Sequence, residues 1–151
     1  MTREQFLIKL MPYLGIPYIW GGDNPNKGLD CSGFVQCALA EIGLDPKGDQ
    51  SAATLYEILR FSGKPVSVGD LGCLAFFGPS MQKIIHVGLC LDERLMIEAG
   101  GGGSKVTTPD IALRMGAKVR VAETTKRSDF LLMIEPSGLP WKNPAPIAPI
   151  A

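Results

Sequence analysis

The strongest constraint on the fold is a change of hydrophobic period near residue 63. Before it, apolar residues recur at helical spacing in three segments, 2–14, 31–42 and 51–61. After the turn-rich "GKPVSVGD" (63–70), they come in short strand-like runs: "LGCLAFF", "IIHVGLCL", "RLMIEA", "KVRVA" and "FLLMIE". Gly78-Pro79 and Asp92-Glu93 break those runs. Helices first and strands later do not build the alternating units of a parallel sheet, so the order predicts an α+β fold with an antiparallel sheet. The 151 residues suit one domain, with 46% apolar content. A chain of that size buries about 70% of its unfolded surface and needs no staples.

Local signals place the elements. Thr2 and Gln5 fit a capping box, and Phe6, Leu7, Leu10, Met11 and Leu14 define one helical face, ended by Gly15 and Pro17. Gly21 to Gly28 reads as loop. The next helix, Cys31 to Ile42, is apolar around most of its circumference (Phe34, Val35, Cys37, Ala38, Leu39, Ile42), which predicts a buried helix closed by Gly43. A short helix is expected near Asp110 to Met115, capped by Thr108 with Pro109 at its first position. From Pro136 the chain carries five prolines in sixteen residues. Residues 1–135 are therefore read as the domain and 136–151 as a proline-rich tail, with Trp141 able to dock on the domain or a partner.

Composition removes several functions. Fifteen basic and fifteen acidic residues cancel, so no broad nucleic-acid surface is expected. No apolar run reaches the ~18 residues of a membrane span. "FLIKLM" is interrupted by Lys9 and lacks a cleavage site, so no signal peptide is expected and the chain reads as made in the cytoplasm, where disulfides are uncommon. Cysteine gaps of 6, 36 and 17 with a single histidine do not match a zinc site. "GGGGSK" is no phosphate loop, because Ser104 separates the glycines from Lys105.

The chemistry candidates begin with Cys31. Asp30 caps the second helix, so the thiol falls in its first turn, where free N–H groups and the helix dipole favour an anion and a lowered thiol pKa. Cys37, Cys73 and Cys90 sit in apolar runs and read as packing. His86 is the only imidazole available as a base for Cys31. Glu98 follows twelve residues later. Strand pairing about residue 92 would set 86 against 98 on one face, supplying the third group that orients a base. The Gly21-Gly22 turn reads as room for a substrate backbone.

Taken in order, "PYIWGG…GLDCSGFVQ", "VGDLGCLAFF" and "HVGLCL…LMIEAGGG" resemble the NlpC family of papain-like cell-wall cysteine peptidases, over about residues 5–135. The resemblance implies a papain-like NlpC-type fold, with the nucleophile's helix packed on a five- or six-stranded antiparallel sheet that carries the histidine. It implies hydrolysis of peptidoglycan stem peptides, commonly between D-glutamate and diaminopimelate, without metal or cofactor. By this resemblance Cys31 takes the nucleophile position, His86 the base, Glu98 the third polar position and Tyr18 the tyrosine beside the nucleophile. Trp20, Asp30, Ser32 and Gly33 take substrate-binding positions. The sequence departs at Glu98, where relatives usually carry His, Asn or Gln. The glycine run and short build look like phage-encoded tail or lysis proteins, with delivery in a virion and the tail as docking segment. The alternatives are a papain-like amidase or acyltransferase on another substrate, and an assembly component with a vestigial site.

Overall fold

The computed structural model describes residues 1–142 and 149–150. Thr2 and Gln5 form the expected capping box at the start of α1 (Arg3–Leu10). The helix stops earlier than its apolar spacing suggests. Pro12 cannot continue an α-helix, and Met11–Tyr13 wind into a tighter 3-10 turn. Phe6 and Leu10 are buried, whereas Leu7, Met11 and Leu14 rotate into solvent.

The stretch Gly21 to Gly28, read as loop, holds all but the last residue of a minimal antiparallel pair, β1 (Asp23–Asn24) and β2 (Gly28–Leu29). The Asn24 side chain holds the turn between them by accepting from the Asn26 N–H at 2.9 Å. The chain then enters α2 (Cys31–Glu41). Phe34, Val35, Ala38 and Leu39 are fully buried, as an all-round apolar helix requires. The Gly43 and Leu44 N–H groups close its end on the Ala40 and Leu39 carbonyls, a Schellman arrangement. The helix α3 (Ala52–Ser62) is capped by Ser51 and buries Ala52, Leu55 and Leu59.

The strands are β3 (Lys64–Val66), β4 (Leu74–Phe77), β5 (His86–Cys90), β6 (Leu95–Gly100), β7 (Lys118–Glu123) and β8 (Phe130–Glu135). They form one six-stranded sheet in the order β3-β8-β4-β5-β6-β7, antiparallel throughout. β3 lies within the stretch read as turn. Pro65 is tolerated there because β3 is an edge strand. The helix α4 (Pro109–Met115) bridges β6 and β7, capped by Thr108 as expected.

Side-chain alternation divides the sheet into two faces. Leu74, Phe76, Val87, Leu89, Ile97, Val119 and Ile134 join the helices in the main core. Cys73, Ala75, Phe77, Cys90, Met96 and Met133 form a second cluster. Cys73 and Cys90 are thus packing residues. Cys37 is only half-buried and borders a shallow cavity with Asp23, Gln36 and Asp45. Beyond Glu135 the chain turns back onto the domain: Leu139 is buried and Trp141 stacks on Phe6 at 5.2 Å. Residues 143–148 and 151 of the proline-rich segment lie outside the described residues. Among those described, no helix is long and apolar enough to cross a membrane.

Candidate active site

Cys31 opens α2 where the β1–β2 loop presses against the helix. Asp30 Oδ1 accepts from the Gly33 N–H at 2.7 Å and from the Ser32 hydroxyl at 3.2 Å. That cap satisfies one of the free donors of the first turn and fixes the entry angle of the chain. Glycine is required at position 33 because a Cβ there would lie 2.1 Å from the Gly22 carbonyl oxygen. A Cβ on Gly22 would meet the Gly28 carbonyl at 2.5 Å. Of the Gly21-Gly22 turn, read as room for substrate, the space at Gly22 is filled by the protein's own backbone, whereas a Cβ at Gly21 would meet nothing within 4 Å. The glycines let loop and helix touch, and the thiol sits at their junction.

The helix carries Cys31 to the start of β5. Its Sγ lies 4.0 Å from the Ile85 carbonyl, one residue before His86. Burial pushes the Cys31 thiol up to about 11, aided by the Asp30 charge. N–H groups of Val87, Ser32 and Cys31 itself act in the opposite sense. Placement in the first turn therefore does not by itself depress the thiol. Position in the first turn supplies the dipole, but desolvation of a thiolate costs more.

Tyr18 is buried beside this corner. Its backbone is held by the Ala117 carbonyl at 3.0 Å. Burial, with the nearby Cys31 and Asp30 charges, raises its hydroxyl far above the ordinary tyrosine value, so it stays a neutral donor. Trp20 is 56% exposed, although its backbone N–H is anchored on the Val106 carbonyl at 2.7 Å.

His86 and Glu98 meet: His86 Nε2 lies 2.8 Å from Glu98 Oε1, with both side chains buried. The route differs from the expected one. The register pairs Leu89 with Ile97 and Cys90 with Met96, centring the hairpin on residue 93 rather than 92. Asp92 widens the turn by accepting from the Arg94 and Leu95 N–H groups, each at 2.7 Å. His86 and Glu98 are consequently diagonal neighbours, not direct partners. A shift of two residues keeps both on one face, and a diagonal span is within reach of long side chains.

Glu98 is almost fully buried, at 2% exposure. Burial opposes its ionisation, but His86, by hydrogen bond and charge, and the Arg120 and Arg127 charges outweigh it and hold the carboxyl below its ordinary value. An ionised carboxylate only accepts, so the proton between the two groups resides on Nε2. When the ring is neutral, Nδ1 is then the nitrogen left as acceptor. The Phe77 ring packs on the imidazole at 5.3 Å. Arg127 also lies over Phe77, 5.1 Å from its centroid, and forks onto Asp129 with two bonds of 2.9 Å.

The start of α2, with Cys31, Asp30, Ser32 and Gly33, thus meets the start of β5 one residue from the His86–Glu98 pair, and Tyr18 lies near enough to feel the Cys31 charge; among the described residues no side-chain hydrogen bond or aromatic contact joins Trp20 to them. Sequence reasoning passed over Arg120, Arg127 and Phe77. The alternation in "KVRVA" separates Arg120 from its valine neighbours. Its partner across the sheet was hidden, because a long connection containing α4 joins β6 to β7 and no turn sets the register.

Residues 15–124 match the model of the NlpC/P60 family. The bifunctional muramidase/DL-endopeptidase CwlT of Bacillus subtilis (strain 168) is 35% identical over 105 residues, covering 66% of this chain and 30% of CwlT. The chain spans less than half the length of the curated relatives it matches. The crystal structure of the NlpC/p60 domain of the peptidoglycan hydrolase SagA superposes with a TM-score of 0.64 at 24% identity, covering 89% of this chain and 98% of that one. RipD of Mycobacterium tuberculosis, described as a non-catalytic NlpC/p60 domain protein adapted to peptidoglycan binding, gives 0.63 at 21% identity over 89% of this chain and 96% of its own. The chain carrying this thiol, imidazole and carboxylate corner belongs to the NlpC/P60 family.

Proposed function

We propose that this chain is a cysteine endopeptidase that hydrolyses peptide bonds in peptidoglycan stem peptides, of the D-glutamyl-diaminopimelate type. The observation that carries the reading is the buried His86–Glu98 bond of 2.8 Å beside a thiol at the first residue of α2. It is the base-plus-orienter arrangement that nucleophilic catalysis needs. The name DL-endopeptidase borne by CwlT supports the choice of bond.

Cys31 transfers its proton to His86 Nδ1, and the thiolate attacks the amide carbonyl carbon. The developing oxyanion is met by the Cys31 backbone N–H and the Tyr18 hydroxyl. His86 returns the proton to the leaving amine as the C–N bond breaks. Water then attacks the thioester, with His86 as base, and frees the thiol. Making both charges together, as a thiolate–imidazolium pair, offsets part of the cost of ionising a thiol whose pKa is pushed up to about 11. The aromatic face of Trp20 and the Asp30–Ser32 corner flank the position of the stem peptide.

Digestion of purified muropeptides with product identification tests this. Wild type should release fragments cut at the D-glutamyl bond, and Cys31→Ala should lose at least about a thousandfold in rate. Turnover by Cys31→Ala overturns the reading. Retention of peptidoglycan by a wild-type protein that yields no product would favour binding alone, the function named for RipD.

A further inference from the structure

Glu98 poses a problem that the His86 contact does not solve. A carboxylate in the family's third position brings a full charge into a site that is 2% exposed. The imidazole occupies only one of the two carboxylate oxygens, Oε1. Unpaired buried charges cost several kcal/mol. The structure supplies a counter-charge from a different strand. Arg120 on β7 is the direct cross-strand partner of Glu98 on β6. Its Nε and Nη2 each lie 3.4 Å from Glu98 Oε2, while Oε1 is spent on His86.

The two carboxylate oxygens are therefore divided between base and cation. The neighbours of Glu98 account for the rest of the charge. Arg127 lies over Phe77 but is forked onto Asp129, and its influence on Glu98 is the weaker of the two arginines. Arg120, 40% exposed along its side chain, has no other carboxylate partner among the described residues. Glu123 on the same strand faces Arg94 instead.

We propose that Arg120 is a positioning residue for the catalytic base: it neutralises Glu98 and fixes its rotation, so that Oε1 holds His86 Nε2–H and Nδ1 faces the thiol. Among the described residues its side-chain hydrogen bonds go to Glu98 alone. A neutral third residue would need no such cation, so the requirement for Arg120 should exist only while Glu98 is a carboxylate. The proposal rests on the peptidase reading above.

A double-mutant cycle on stem-peptide hydrolysis tests it. Neighbours that act as a unit couple by about 0.5–3 kcal/mol, and tenfold in rate corresponds to about 1.4. Arg120→Met should lower kcat about tenfold with KM little changed. In a Glu98→Gln background the same substitution should cost no more than about twofold. Equal losses in the two backgrounds, or no loss in the first, overturn the proposal. If Arg120→Met does not fold, a folded and active double variant supports it, and a double variant that also fails overturns it. Absence of thiol-dependent hydrolysis by wild type would instead overturn the peptidase reading, so the two failures are distinct.

Discussion

Cys31 sits between two opposed effects. A helix first turn favours an anion by about 0.3–1 kcal/mol, whereas burial and the neighbouring Asp30 favour the neutral thiol and place its pKa near 11. The resolution is a proton acceptor, and His86 is the only one of its kind in the chain. Alkylation measures the balance. In wild type, iodoacetamide should modify Cys31 readily near neutral pH, because proton transfer to His86 makes thiolate without a net charge. In His86→Ala the rate should instead keep climbing toward pH of about 11. A Cys31→Ala control measures the background of Cys37, Cys73 and Cys90, whose thiols are also raised by burial. Identical pH profiles for wild type and His86→Ala would remove His86 as the acceptor.

The elements matter here as carriers of position. The start of α2 is locked by the contact of Gly33 with the Gly22 carbonyl, so Gly33→Ala must push apart the loop and the helix. Overpacking of this kind costs about 1–3 kcal/mol. Because the shift falls within two residues of Cys31, activity should drop more than tenfold even where the variant remains folded. A urea midpoint and kcat measured on one preparation would separate the two effects; full activity at reduced stability would mean that the junction does not place the thiol. The same elements account for what was legible beforehand. Capping residues Thr2, Asp30 and Thr108 are local signals, and each starts a helix where expected. The face shared by His86 and Glu98 was legible because side-chain parity survives a two-residue slip. Their exact register was not, because it depended on how Asp92 builds the turn. Arg120 was invisible for a similar reason, since nothing local sets the pairing of strands joined through α4. Pro12 was legible but outweighed by the apolar period around it.

At the scale of the molecule, the segment just after β8 ties back to α1. Trp141 stacks on Phe6 of α1 and lies under Arg3, 6.0 Å from the ring. Truncating the half-buried indole in Trp141→Ala should cost about 1–3 kcal/mol, less than a fully buried tryptophan, read as a lower thermal midpoint. Charge completes the clasp. Arg3 forks onto Asp70 with two bonds of 2.7 Å, and Lys142 reaches both Asp70 and Glu135. The Arg3 bond, against the opposing effect of burial, holds the Asp70 carboxyl well below the usual carboxylate range, with further help from the Leu71 N–H and Lys142. A carboxyl whose folded value lies below its unfolded value of about 3.9 stabilises the fold above that pH. The contribution fades as pH falls from about 4 toward the folded value. Both partners are about two-fifths exposed, so screening keeps it to about 1 kcal/mol or less. Asp70→Asn should therefore lower the urea midpoint at pH 7, and the gap from wild type should shrink steadily below pH of about 4. A gap unchanged at pH of about 2.5 would assign the clasp to packing around Trp141 and not to charge.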